Sequence, residues 1–263
     1  MNGYQSVGMN YTNVQTNRGI SGSTLKIIAI ITMFIDHLGA GFVGRLIQYR
    51  LITKPFGDIN TLYMVYMTMR FIGRIAFPIF IFLMIEGKKK TRNVWKYTMR
   101  MGIFALASEV PFDLTFNGKI LESSYQNIFF TLLIGMLTII AIDRLWRILG
   151  PKGNVLFKII LAIPLAYLGA WIAEWLHTDY GAIGIVCIVV MYVFSFNKAL
   201  QIAAGSVVFI WEVTAPFAFI PIGFYNGKRG LPLKYVFYAF YPLHLIVIYL
   251  TALLMGIAHF PAM

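Results

Sequence analysis

The chain has 263 residues, 59% of them hydrophobic and only 12% charged, with a mean hydropathy of +0.74 and a formal net charge of +12. A soluble globular domain carries about twice that charged fraction, so the composition excludes an ordinary soluble fold and points to an all-α polytopic membrane protein. The basic excess does not read as nucleic-acid binding, because Lys and Arg fall between apolar blocks rather than in a separate basic domain.

The first 23 residues are polar and read as an N-terminal tail without the basic head of a signal peptide; residues 24–263 form one membrane domain. A spanning helix needs about 20 mostly apolar residues. The first fits Leu25–Gly44, with Ser21 and Ser23 as candidate caps, and the second Leu62–Glu86, which Pro78 should kink. Val94–Leu114, Gln126–Asp143, Val155–Leu176 and a short Gly181–Phe194 follow. The stretch Ala199–Phe224 is interrupted by Glu212, Pro216 and Pro221, and Tyr235–Ala258 is the last span.

Charge sets the orientation. "GKKKTRNVWK", "DRLWRILGPKGNVLFK" and Lys198 lie on alternate connections, so the positive-inside rule places them and the N-terminus in the cytoplasm. "LHTDYG", with no Lys or Arg, falls outside, and the loop Arg45–Lys54 is a mild exception. Keeping the basic "NGKRGLPLK" inside requires a break near Glu212–Pro216. The expectation is nine crossings, or eight plus a re-entrant pair, within a range of about 8–10 membrane segments. Cys187, the single cysteine, offers no intramolecular disulfide, and no metal is expected.

Ionisable side chains at membrane depth are costly and read first as functional. Asp36 and His37 interrupt the apolar run "IAIITMFIDHLGAG". His37 is eleven residues after Lys26, roughly 16 Å along one helix face, which puts an imidazole near mid-membrane. Arg70 and Arg74 share a face, and so do Glu109 and Asp113 around Pro111. These pairs either meet a ligand or neutralise one another, Asp36 and Glu109 being the expected partners of the arginines. In "FYAFYPLHLIVIYL", Tyr241 and His244 flank Pro242, and His244 either contacts a ligand or caps a carbonyl that the proline frees.

Together "LKIIAIITMFIDHLGA", "RFIGRIAFPIFIFLMIEGKKKTR", "SEVPFDL", "FYNGKRG" and "YVFYAFYPLHL" resemble, in order, the TraX family of integral-membrane acetyltransferases. That family is similar to a wider group of membrane acyltransferases (acyltransferase family three) that carry an arginine, ten residues and a histidine in the first span; here lysine stands at the arginine position. The resemblance implies a multi-pass protein of the bacterial inner membrane, surrounded by lipid. It implies acetyl-CoA as donor and a pilin amino terminus, peptide or glycan as acceptor. It makes His37 the general base or, less directly, the carrier of the acetyl group, with Asp36 beside it. Lys26, Arg70, Arg74, Glu109, Asp113, Tyr241 and His244 are then substrate-binding candidates, and Asn226, Lys228 and Arg229 candidates for the donor phosphates. Two other classes compete: a proton-coupled transporter, which would usually show inverted repeats that this sequence lacks, and a non-catalytic scaffold, which would not need so many buried ionisable groups.

Overall fold

A computed structural model describes residues 18–53, 59–150, 154–232 and 234–263. Most of the expected polar tail, Lys54 and Lys152 therefore lie outside the described residues. All regular structure among those described is helical, apart from isolated bridges at Ile20–Tyr225 and Gln126–Thr178. Five stretches are long and apolar enough to cross a membrane: Gly22–Leu51, Ile59–Lys90, Ile128–Ile148, Leu156–Trp175 and Val236–Leu254. The molecule is a multi-pass helical bundle.

Helix α1 (Gly22–Leu38) starts where Ser21 accepts a hydrogen bond from the Thr24 amide. Ser23 is already inside the helix, and its hydroxyl instead accepts from the Leu231 amide. The chain does not end its first span at Gly44. It passes through a π-helical turn, Gly39–Val43, and continues as α2 (Gly44–Thr53). Arg45 is therefore not a loop cation. It is fully buried and donates to the carbonyls of Gly41, Leu114, Thr115 and Phe260.

The second passage is α3 (Ile59–Gly73) and α4 (Ala76–Lys90), broken at Arg74–Ile75. The break lies in the turn before Pro78, and the kink expected of that proline is present. A proline lacks the amide that would bond the carbonyl four residues back, here Arg74, and it is tolerated in a first turn, where it sits in α4. Gly73 at the break lies against α1: a β-carbon there would come within 2.2 Å of the Asp36 side chain.

Helices α5 (Val94–Phe116), α6 (Ile128–Ile148), α7 (Val155–Trp175) and α8 (Gly181–Val193) follow. Asn93, Asn127 and Asn154 cap the first three, each side chain accepting a backbone amide hydrogen bond. Next, α9 (Lys198–Val208) runs inward to 3₁₀ turns at Ile210–Glu212 and Ala215–Ala218, and α10 (Phe219–Gly223) returns. The ends of this hairpin meet: Lys198 Nζ donates to the carbonyls of Gly223 and Tyr225, at 2.7 and 2.8 Å. The limbs pack closely because residue 205 is glycine; a β-carbon there would meet the Phe219 ring at 2.3 Å. The break expected at Glu212–Pro216 is thus present and makes a re-entrant pair. With α11 (Lys234–Leu254), the described residues hold seven helical stretches besides the hairpin. Phe209, Ala215, Ala218 and Phe219 of the hairpin are buried in the bundle, while Ile210, Val213 and Phe217 stay exposed.

One end of the bundle gathers the basic segments. The Gly22 and Ser23 amides donate to the carbonyls of Lys228 and Arg229, and Lys90 Nζ donates to Gly227 O and Tyr225 Oη. The opposite end holds the α5–α6 and α7–α8 connections, paired through Gln126, His177 and Asp179. This arrangement sets a first prediction. A cysteine replacing exposed Arg92 should react with a membrane-impermeant thiol reagent only from the cytoplasm, and one replacing exposed Leu121 only from the other side. Labelling of both from one side overturns the orientation.

Candidate active site

His37, in the last turn of α1, meets His244 of α11. His37 Nδ1 and His244 Nε2 are 2.7 Å apart, and His244 Nδ1 is 2.7 Å from the Phe240 carbonyl. The direction of this chain follows from elementary chemistry. A carbonyl only accepts, so His244 Nδ1 donates to it. The other nitrogen of a neutral His244 then accepts, so His37 Nδ1 donates, and the lone pair of His37 lies on Nε2. The carbonyl used is that of Phe240, one turn before His244, and not that of Tyr238, which Pro242 leaves without its helical amide. Phe34, Phe116, Phe240 and Tyr241 surround the two rings.

Asp36 forms a 2.5 Å ion pair with Arg70, and Arg74 Nε lies 2.9 Å from Glu212 at the hairpin tip. Both arginines are thus matched by carboxylates, but the partner of Arg74 is Glu212, where Glu109 had been expected. Glu109 bonds instead to the side chain and backbone amide of Asn127. Asp113 accepts from Asn117 Nδ2 and from the Glu122 amide, and so braces the α5–α6 connection. The Asp179 carboxylate accepts from the Tyr125 hydroxyl at 2.6 Å. Burial pushes the Asp179 carboxyl up from its ordinary range, while Tyr125, Arg70 and Arg74 act in the other direction. Sequence reasoning missed Asp179 and Tyr125; the signal available was a lone carboxylate in an otherwise neutral connection.

At the basic end a cavity of about 530 Å³ opens between α1, α4, α5, α6 and α11. Its charged lining is Lys26, Lys90, Arg92, Arg100, Arg229 and Glu86. The buried Arg100 Nε has no hydrogen-bond partner. Of the three loop candidates, Arg229 lines the cavity. Asn226 ties the loop to the N-terminal segment through Gly19 and Ile20, and the Lys228 carbonyl holds the Gly22 amide. Arg92 and Arg100 were not singled out from the sequence. Tyr97, Arg100 and Met101 do lie on one helical face, and that spacing was the available signal.

The cavity runs up the face of α1 as far as Ile30, seven residues or about 10 Å short of His37. Its inner wall includes Phe80 and Phe129, which belong to a small apolar cluster with Met33, Phe112, Tyr241 and Leu245. Phe129 packs edge-on against Tyr241 at 4.9 Å, and Tyr241 packs edge-on against His37 at 5.7 Å. One apolar layer therefore separates the cavity from the imidazole pair.

The profile of the family described as "TraX protein" matches residues 21–252. The chain belongs to the TraX family. It is also similar to a protein of Dichelobacter nodosus described as "Probable fimbrial assembly protein FimC, serogroup H1", with 25% identity over 87% of this chain and 94% of that protein. No solved structure matches. The matched TraX region takes in both histidines, both arginines and every cavity residue.

Proposed function

We propose that this TraX protein is an acetyltransferase of the bacterial inner membrane. It moves the acetyl group of cytoplasmic acetyl-CoA to an amine or hydroxyl of an envelope-associated acceptor, with His37 as general base. The observation that carries this reading is the hydrogen-bonded chain Phe240–His244–His37, which leaves a lone pair on His37 Nε2. A positioned neutral imidazole is suited to take a proton from a nucleophile near pH 7.

The basic cavity supports the donor assignment. Acetyl-CoA is polyanionic at one end and carries its thioester at the end of a long arm. Arg100, Arg92, Lys90, Lys26 and Arg229 supply charge for the phosphates, and a planar guanidinium makes forked hydrogen bonds to phosphate oxygens. The apolar inner wall suits the arm, which must displace Phe129 or Phe80 to bring the thioester to His37. His37 Nε2 then removes the acceptor proton as the nucleophile attacks the thioester carbon. The collapsing tetrahedral adduct expels the thiolate, which takes the proton back from His37, leaving acetylated acceptor and CoA. Asp36, next to His37 in sequence, pairs with Arg70, and we assign that guanidinium to the developing oxyanion. The D. nodosus relative, described as a probable fimbrial assembly protein, supports a pilus subunit as acceptor.

Transfer of labelled acetyl from acetyl-CoA by the purified protein tests the reading directly. If neither transfer nor donor hydrolysis occurs above a buffer control, the reading falls. Arg92→Glu with Arg100→Glu should weaken donor binding by about a hundredfold or more, since each removes a charge-assisted contact and adds repulsion. Unchanged donor affinity in that variant leaves the cavity without its proposed ligand.

A further inference from the structure

Two buried polar groups beside the start of α6 keep hydrogen-bonding capacity that the bundle does not use. Tyr241 is 2% exposed, and its hydroxyl proton finds no acceptor. Glu109 is 8% exposed; Asn127 holds one carboxylate oxygen, and the other, Oε1, has no partner. Native interiors leave few such atoms, because each loses its hydration without replacement. A phenylalanine at 241 would keep the ring packing and avoid that cost. Both atoms lie at the start of α6. Asn127, its N-cap, holds Glu109, and the Ile128 amide at its first position is the backbone group facing the Tyr241 oxygen. With an amide behind its oxygen, Tyr241 has its hydroxyl proton to give.

We infer that Tyr241 and Glu109 form the acceptor subsite of the transferase, holding a nucleophile that both donates and accepts a hydrogen bond. The inference rests on the reading proposed above. The two groups are complementary: the hydroxyl donates, and the carboxylate only accepts. A thioester carbonyl has no hydrogen for Glu109, and a bare cation has no lone pair for Tyr241. An amine or an alcohol has both. The position also fits, since the Tyr241 ring contacts both His37 and His244, at 5.7 and 5.6 Å between centroids. Phe129, which packs on Tyr241, lines the basic cavity proposed for the donor, and neither Tyr241 nor Glu109 is among that cavity's lining residues.

The test uses the full chain in nanodiscs with labelled acetyl-CoA and two synthetic apolar peptides, one with a free α-amine and one with an α-hydroxyl in its place. Tyr241→Phe and Glu109→Gln should each raise the acceptor KM about tenfold or more while the donor KM stays within about twofold. Tyr241→Phe should unfold at the wild-type temperature or above it, which a structural hydroxyl would not allow. The peptide that shows the effect identifies amine or hydroxyl as the nucleophile. Acceptor KM values unchanged in both variants would mean that the pair holds only water, and the subsite is overturned. It is equally overturned if the wild type hydrolyses the donor yet acetylates neither peptide, although the donor reading would then stand. Absence of both hydrolysis and transfer in the wild type overturns the transferase reading itself.

Discussion

His37→Ala should lower acetyl transfer by about 10²- to 10⁴-fold, the usual cost of losing a positioned base. The variant should still insert and elute as a folded protein, because the ring is only partly buried and touches its neighbours mainly edge-on. His244→Ala should cost less. It removes the acceptor for His37 Nδ1–H, so the imidazole loses its preferred tautomer but not its nitrogen lone pair. Asp36→Asn should also cost less, since it weakens the Arg70 pair while leaving the histidine chain in place. Transfer rates of the three purified variants at saturating donor decide the order. If His244→Ala abolishes transfer and His37→Ala leaves it near normal, the base is on α11 and the direction assigned to the chain is wrong.

The second large effect concerns stability. Arg45→Met should destabilise the fold by about 2–5 kcal/mol, because it strips donors from buried carbonyls at the end of α5. Methionine fills a similar volume, so the loss would come from unsatisfied acceptors rather than a cavity. The Phe260 carbonyl would be freed too, and limited proteolysis should then remove the C-terminal residues first. A melting temperature equal to that of the wild type, with an uncut C-terminus, would show that Arg45 does not clasp α5.

What was legible in the sequence follows from what lipid forbids. A backbone at membrane depth must bond within itself, so helices announce themselves as apolar runs, and α5 through α8 start within about two residues of where those runs begin. Glu212 and the two nearby prolines cannot continue a lipid-facing helix, and the hairpin breaks there. Asp36 and His37 stood out for the same reason. Partnership was less legible. His37 and His244 are 207 positions apart, and only the packing of α1 on α11 joins them. Arg74 could be matched with any nearby carboxylate, and depth alone did not favour Glu212 over Glu109. Arg45 misled because Gly39, Gly41 and Gly44 look like a helix terminus. In the fold they permit a π-helical turn and close neighbours, including Thr115 and Ile248 against Gly41. Asp179 was hidden by its place in a connection, where a carboxylate is ordinarily solvated.

The apolar layer between the basic cavity and the histidine pair has a consequence for the cell. A bundle with a polar entrance at one end and buried ionisable groups nearer the other is close to being a conduit. Across an energised membrane, each elementary charge that slips through dissipates about 2.3 kcal/mol per 100 mV. Met33, Phe80, Phe129 and Tyr241 make the apolar layer that stands in the way. In the reaction proposed above, the acyl arm has to push aside these same rings. If the proposed transfer runs across this layer, the arm must fill the gap it opens, so that the acetyl group passes while protons and salt do not.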